Sequence, residues 1–192
     1  MSAILHEVLT AQLSVHEGLR LDLYRDSEGV LTIGYGRNLQ DCGISYVEAV
    51  LLYRLDHRTA PVPETRPMLK LYEDNRGEWL IGWGYPIGER GINLPIAETF
   101  LAHDIESAIG ACLEHVAGFG ALDVARQAVV ANMMFNLGWP RLSRFRRFLA
   151  ALAGLDFERA AAEMKDSKWY RQVKGRGAEL VRQMRTGELP PA

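Results

Sequence analysis

The spacing of apolar residues changes character several times along the chain. Ile4, Leu5, Val8, Leu9 and Leu13 recur three to four positions apart, which predicts a short amphipathic helix. Residues 21–36 are instead rich in Tyr, Val, Ile and Thr and carry turn-forming glycines, so they predict a β-hairpin. Helical spacing returns over residues 43–58. Three prolines within residues 61–67 then break any helix, and this segment is interpreted as an extended connector.

The hairpin and the helix that follows it recur when the chain is shifted by 48 residues. Residues 21–56 and 69–104 align without a gap, and 12 of the 36 aligned positions are identical. The identities include four glycines, and a backbone that needs positive φ at its turns would explain them. The alignment predicts an internal duplication of a hairpin-plus-helix unit.

Beyond residue 95 the pattern is helical almost to the C-terminus. A long helix is predicted from about 96 to 116, ending near Gly118, and shorter helices over 123–137, 143–153, 156–165 and 176–185. Residues 136–140 break the pattern, Gly154 is a candidate C-cap and Asp156 a candidate N-cap. The whole chain therefore predicts an α+β fold, with a small, duplicated antiparallel β-lobe joined by a long helix to a larger C-terminal helical lobe.

Four segments are expected from these patterns. Residues 1–60 form the N-terminal helix and the first hairpin lobe, and residues 61–95 form a second, degenerate hairpin lobe. Residues 96–118 form the connecting helix and residues 119–192 the helical lobe. The first hairpin is expected to pack beside the helical lobe, with the second as an appended lobe.

Composition narrows the class of protein. The 192 residues are 48% hydrophobic and 24% charged, which is typical of a water-soluble globular protein. No apolar run approaches the roughly 18 residues that span a bilayer, and no signal peptide is recognised at the N-terminus. Cys42 and Cys112 are too few for a disulfide framework or a metal site, so two reduced thiols are expected.

Charge is distributed unevenly although the net value is only −2. Residues 1–118 carry 9 basic and 17 acidic side chains, whereas residues 119–192 carry 13 and 7. A basic lobe favours an anionic partner, but two oppositely charged lobes could also simply attract each other. Arg144, Arg146 and Arg147 form one basic cluster, for which an anionic wall polymer or lipid is a possible partner; no nucleic-acid recognition motif accompanies it.

Two carboxylates and a hydroxyl fall in and beside the first hairpin. Glu17 follows the first helix, Asp26 lies where the first strand meets its turn, and Thr32 lies on the returning strand. Glycosidic cleavage needs such a set: an acid to protonate the leaving oxygen, and a carboxylate on the opposite face of the sugar. The alternative from the residues alone is that both acids are solvated or cap backbone amides, and that Thr32 is merely a good strand former.

The segment from Glu17 to Gly36, EGLRLDLYRDSEGVLTIGYG, resembles the active-site region of the T-even-phage-type lysozymes, glycoside hydrolase family 24. Further resembling stretches are residues 125–138, Phe145, residues 167–170, Arg176 and residues 185–187. The resemblance covers about residues 4–60 and 91–188. It implies a lysozyme-like fold and a muramidase that cuts the β-1,4 bond between N-acetylmuramic acid and N-acetylglucosamine in peptidoglycan.

The resemblance also implies roles for individual residues. Glu17 matches the general acid, Asp26 the base that activates water, and Thr32 the residue that positions this water. The family resembles inverting enzymes, whose carboxyl groups stand roughly 6.5–9.5 Å apart to admit that water. No metal and no organic cofactor is implied. Four further residues are implied to bind substrate: Phe135, Asn136, Asn38 and Arg176.

The chain departs from the family at several of these positions. Asn38 replaces an apolar cleft residue, and Arg37 stands where close relatives have a histidine. Phe148 and Glu163 stand where small or amide side chains are usual. The contacts with individual sugar units are therefore left open.

The second hairpin is predicted to be catalytically inactive. At the same offset Thr65 and Leu80 stand in place of the acid and the hydroxyl, and only Asp74 keeps its carboxylate. Its aromatic residues either stack on sugar rings or simply pack a small β-lobe; these are Trp79, Trp83 and Tyr85.

Two functions remain open at this point. One is an active muramidase, either a free endolysin or a virion-borne lysozyme, that acts as a monomer on peptidoglycan glycan strands during bacterial cell lysis. The other is a non-catalytic lysozyme-like module that only binds peptidoglycan. Without a signal peptide, the resemblance implies synthesis in the host cytoplasm and action on the wall, in the periplasm, after release through a phage-made membrane hole.

Overall fold

A computed structural model of the chain describes residues 3–55, 69–173 and 175–190. It confirms the α+β fold, with two small antiparallel sheets among many helices. The chain forms two compact units: Leu13–His103, which holds both sheets, and a helical unit built from Met1–Gln12 and Asp104–Ala192. Within the described ranges, no helix is long and apolar enough to cross a membrane.

The elements follow the predicted order closely. They are α1 (Ala3–Glu17), β1 (Arg20–Arg25), β2 (Leu31–Gly34), β3 (Arg37–Asn38), α2 (Tyr46–Leu55), β4 (Leu71–Glu73), β5 (Trp79–Ile81), α3 (Ile87–Arg90), α4 (Leu94–His115), α5 (Val124–Leu142), α6 (Arg146–Ala153), α7 (Phe157–Lys165), α8 (Lys168–Val173) and α9 (Gly175–Thr186). The short elements β3, α3 and α8 were not expected from the sequence. The end of the predicted helix 43–58 and the connector at residues 61–67 lie outside the described residues.

The two hairpins have matching turns. Gly29 and Gly77 both have φ of 80°, and Gly43 and Gly91 have φ of 61° and 60°. These are left-handed conformations that favour glycine, which explains why the glycines recur at the offset of 48. The shared geometry is a property of the fold; that it arose by duplication is our proposal.

Each hairpin packs against the start of the helix in the other repeat, the first hairpin against α4 and the second against α2. A Cβ added at Gly34 would lie 3.6 Å from Ile92, just before α4, and 3.7 Å from Ala97, in the first turn of α4. At Gly82, the equivalent contacts are 3.4 Å to Ile44 and 3.6 Å to Ala49, beside and within α2. The first hairpin therefore rests on α4, although α2 is the helix that follows it in the chain.

Backbone hydrogen bonds repeat this exchange. Ile44 donates to the carbonyl of Leu69 at 2.8 Å and accepts from its amide at 2.7 Å. At the equivalent place, the amide of Ile92 donates to the carbonyl of Leu21 at 2.9 Å. The enclosed core includes Ile33, Ile81, Leu52, Tyr85 and Phe100, all at most 3% exposed. The two hairpins thus share one core, and neither has a separate one.

In the helical unit, the helix ends and caps can be compared with those predicted from the sequence. Gly138 is non-helical, with φ of 66° and ψ of 162°, so the helical run from Val124 to Leu142 is interrupted there, within the break predicted at residues 136–140. Asp156 caps α7 as predicted, its side chain accepting from the amide of Arg159 at 3.0 Å. Gly154 is the C-cap of α6, but the left-handed residue is Leu155, with φ of 54°.

Candidate active site

Glu17 is the last residue of α1 and is half-buried. Its carboxylate lies over Gly36, where an added Cβ would be only 3.2 Å from Oε2. Gly36 has φ of 78°, so the turn between β2 and β3 both requires glycine and leaves room for the acid. The absence of a side chain at Gly36 therefore also leaves space for the Glu17 carboxylate.

Asp26 closes the turn of the first hairpin. Its Oδ1 accepts from the amides of Glu28 and Val30, both at 2.9 Å, while its own amide donates to the Val30 carbonyl at 3.0 Å. The interpretation that Asp26 caps backbone amides is therefore correct for its Oδ1 atom. Among the described residues, Oδ2 has no hydrogen-bond partner, so this second oxygen is left to accept a proton.

Thr32 lies on β2 and is only 2% exposed. Its hydroxyl donates to the Val30 carbonyl at 3.0 Å. Because that bond uses the hydroxyl proton, the lone pairs of Oγ1 remain to accept a hydrogen bond from water. Asp26 and Thr32 are therefore both hydrogen-bonded to the backbone of Val30, Asp26 to its amide and Thr32 to its carbonyl.

Tyr24 belongs with this group, although it was not among the predicted site residues. It stands opposite Thr32 in the sheet, and the Arg20 guanidinium lies 4.1 Å from the centre of its ring. Burial raises the pKa of Tyr24; the negative charges of Glu17 and Asp26 raise it further, against the opposing effect of Arg20. The phenol of Tyr24 therefore interacts electrostatically with both carboxylates. The signal in the sequence was its cross-strand register with Thr32.

Asn38, predicted to contact substrate, stands opposite Thr32 on β3. Its side-chain oxygen accepts from the amides of Gln40 and Asp41 at 2.9 and 3.0 Å, and its Nδ2 donates to the Asp41 carboxylate at 2.9 Å. The amide therefore holds the turn after β3. A contact with sugar at Asn38 stays a prediction.

The other three predicted substrate residues lie in the helical unit. Phe135 and Asn136 are half-buried in α5, and Arg176 is half-buried in the first turn of α9. Asn136 Oδ1 accepts from the indole N–H of Trp169 at 2.9 Å. Their contact with saccharide stays a prediction.

Arg37, the departure from the family histidine, is buried at 6% exposure. Its guanidinium contacts both oxygens of the fully buried Glu48, at 2.7 and 3.2 Å, and its Nε donates to the Gly43 carbonyl at 3.1 Å. His103 Nδ1 lies 3.0 Å from the same carboxylate. Sequence reasoning missed Glu48, because 11 residues of sequence and a turn separate it from Arg37.

The second hairpin repeats the turn but not the chemistry. Asp74 Oδ1 accepts from the amides of Arg76 and Glu78, at 2.8 and 3.0 Å, as Asp26 does in the first hairpin. Hydrogen bonds from Glu78 and then Arg76 lower the pKa of Asp74. Leu80 supplies no hydroxyl, and the equivalent of Glu17, Thr65, lies outside the described residues.

The aromatic residues of the second hairpin are occupied by packing. Trp83 makes edge-to-face contacts with Tyr46 and Tyr53, at 5.6 and 5.7 Å between ring centres. Tyr85 is 1% exposed and donates its hydroxyl proton to the Gly91 carbonyl at 3.1 Å. These contacts agree with the packing interpretation rather than with a sugar-stacking surface. Within the described part of the chain, no group of three or more His, Cys, Asp or Glu could hold a metal ion.

Comparison with known proteins gives relatives along nearly the whole chain. No family model matches it. The chain is 26% identical to "Probable T4-type lysozyme 1" of Dictyostelium discoideum, over 92% of this chain and 93% of that protein. It is 26% identical to "Probable T4-type lysozyme 2" of the same organism, over 94% and 95% respectively.

A phage protein is similar over a shorter part of its own length. The chain is 27% identical to the "Pre-baseplate central spike protein Gp5" of Enterobacteria phage T4, over 90% of this chain. That match spans 27% of the phage protein, so the chain corresponds to about a quarter of it.

Proposed function

We propose that the chain hydrolyses peptidoglycan as a muramidase during bacterial cell lysis, and its similarity to two probable T4-type lysozymes supports this proposal. The bond cut is the β-1,4 linkage between N-acetylmuramic acid and N-acetylglucosamine. The observation that supports the proposal is that Asp26 and Thr32 both bond to the backbone of Val30 through atoms that leave Asp26 Oδ2 and the lone pairs of Thr32 Oγ1 to interact with water.

The proposed chemistry is a single displacement with inversion. Glu17 donates its proton to the glycosidic oxygen as the bond to the anomeric carbon breaks. A water held by Thr32 attacks that carbon from the opposite face and gives up a proton to Asp26 Oδ2. The sugar then carries a new hydroxyl of inverted configuration, and exchange of protons with solvent resets both carboxyl groups.

The second hairpin supplies a matched control for this proposal. Asp26→Asn keeps the Oδ1 acceptor of the turn but removes the base, so hydrolysis of purified sacculi is expected to fall by at least about a hundredfold. Asp74→Asn makes the same change in a turn with the same hydrogen bonds and is expected to leave hydrolysis intact. Glu17→Gln is expected to behave like Asp26→Asn.

Analysis of the released muropeptides establishes which bond is cut. Reducing muramic acid ends, with the α anomer formed first, are the expected products. Equal activity of Asp26→Asn and Asp74→Asn, with both proteins folded by circular dichroism, would contradict the proposed base. Wild-type protein that sediments with sacculi but releases nothing would establish the alternative, a non-catalytic binding module.

A further inference from the structure

Tyr24 is a polar residue of the first hairpin that the proposed reaction does not use. It lies half-buried on β1, opposite Thr32 on β2, and Thr32 in turn lies opposite Asn38 on β3. Residues that pair across antiparallel strands project from the same face of the sheet, with their Cβ atoms roughly 4.5–5.5 Å apart. The side chain of Tyr24 therefore stands beside the hydroxyl that is proposed to hold the attacking water.

The hydroxyl of Tyr24 makes no hydrogen bond with the part of the chain that the structure describes. Its two neighbours in the row are already engaged, because Thr32 donates its proton to the Val30 carbonyl and the amide of Asn38 is bonded within the turn after β3. A tyrosine hydroxyl in a half-buried position usually has a partner. The phenol of Tyr24 is therefore a donor that this face of the sheet can offer to a ligand.

The ring of Tyr24 is held before any ligand arrives. The Arg20 guanidinium lies 4.1 Å from the ring centre, so a cation covers one face of the ring. A sugar cannot stack on the face that Arg20 occupies, which leaves the hydroxyl as the polar contact point. Because the ring is already oriented, a hydrogen bond from it costs little side-chain entropy on binding.

The charges around Tyr24 select the kind of group that it would bind. Burial raises the pKa of Tyr24, and the charges of Glu17 and Asp26 raise it further against the effect of Arg20, so the phenol keeps its proton at neutral pH. The two carboxylates are acceptors and suit the hydroxyl groups of a sugar, which can donate. An amide carbonyl only accepts, so it needs a donor such as the phenol.

We propose that Tyr24 donates its hydroxyl proton to the acetamido carbonyl of a sugar bound beside the bond that is cut. Tyr24 is then a substrate-binding residue that makes the site prefer N-acetylated glycan over glycan with free amines. The inference rests on the proposed function, since it concerns the same substrate and the same face of the first hairpin.

Binding to two glycans tests this preference without depending on turnover. The first is a peptide-free tetrasaccharide of alternating N-acetylglucosamine and N-acetylmuramic acid, and the second is the same tetrasaccharide with amines in place of the acetamido groups. Calorimetry is done on Glu17→Gln protein, so that both stay intact. Adding Tyr24→Phe keeps the ring beside Arg20, and it is expected to weaken binding of the acetylated glycan about three- to tenfold, the value of one neutral hydrogen bond. Binding of the amine form is expected to be unchanged.

The second hairpin supplies a matched control for this substitution. Tyr72 stands at the equivalent place, on β4 opposite Leu80 of β5, and is 42% exposed. Tyr72→Phe removes the same hydroxyl beside a residue that has none to hold a water, so it is expected to leave binding of both glycans unchanged. Circular dichroism and urea denaturation check that both variants are folded.

Three results would overturn the proposal. They are an equal loss for both glycans in Tyr24→Phe, no loss for either glycan, and the same loss in Tyr72→Phe. The fate of the proposed function is read separately, from hydrolysis of sacculi by the unsubstituted protein. A Tyr24-dependent preference for the acetylated glycan in a protein that never hydrolyses sacculi would support this inference and defeat the proposed function.

Discussion

Replacing Gly43 by Ala tests the exchange of partners between the two hairpins. A Cβ at Gly43 would stand 2.5 Å from the carbonyl oxygen of Leu69, far inside an ordinary van der Waals contact. That oxygen belongs to the backbone and accepts from Ile44 at 2.8 Å, so it cannot turn aside as a side chain would. The backbone around Gly43, which precedes α2, and the backbone around Leu69, which precedes β4, therefore have to move apart.

The expected magnitude follows from two terms. Placing alanine at φ of 61° costs about 1 kcal/mol, because the left-handed conformation crowds Cβ against the carbonyl. Loss of the two hydrogen bonds between Ile44 and Leu69 adds about 1 kcal/mol for each bond. The free energy of unfolding should fall by about 2–4 kcal/mol, which for a chain of this size lowers the melting temperature by roughly 4–16 °C.

Gly29→Ala is the matched control for this experiment. Gly29 also has positive φ, at 80°, but nothing lies within 4 Å of an added Cβ. Only the conformational cost applies, so about 1 kcal/mol is expected. Urea denaturation of both variants measures the difference; if Gly43→Ala is no less stable than Gly29→Ala, the exchanged packing is wrong.

Three further outcomes follow from buried and titrating groups. Arg37→Met should lower the free energy of unfolding by about 3 kcal/mol in urea, because it leaves Glu48 buried without its cation, and Glu48→Gln should recover part of that loss. Since hydrogen bonds lower the pKa of Asp74, its ionised form adds stability above the unfolded value of about 3.9, and this contribution disappears as pH falls through the folded value. Asp74→Asn should therefore flatten the acid limb of a stability profile, whereas an unchanged limb would refute the assignment. Burial raises the pKa of Cys112 to about 12, so a thiol reagent at about pH 8 should label Cys42 alone until the protein is denatured; rapid labelling of both would disprove that burial.

Much of the local structure could be predicted because it depends on neighbours in sequence. The hairpin turns follow from glycines that take positive φ, and the cap of α7 follows from Asp156, whose side chain reaches an amide three residues on. The proposed catalytic residues were also visible as a local pattern, since Asp26 and Thr32 both bond to Val30 in the same hairpin. Helix α8 escaped prediction because six residues are too few to show a helical period.

What the sequence could not determine is which distant surfaces meet. The alignment at an offset of 48 establishes two similar hairpin-helix units, but it is equally compatible with each hairpin packing on its own helix or on the other's. The contacts of Gly34 with Ile92 and of Gly82 with Ile44 show that each hairpin packs on the helix segment of the other unit. The Arg37–Glu48 pair was decided in the same way. The reason is physical: turns, caps and periodicity are fixed by covalent neighbours, whereas the burial of a charge or a helix face depends on whatever surface the rest of the chain brings against it.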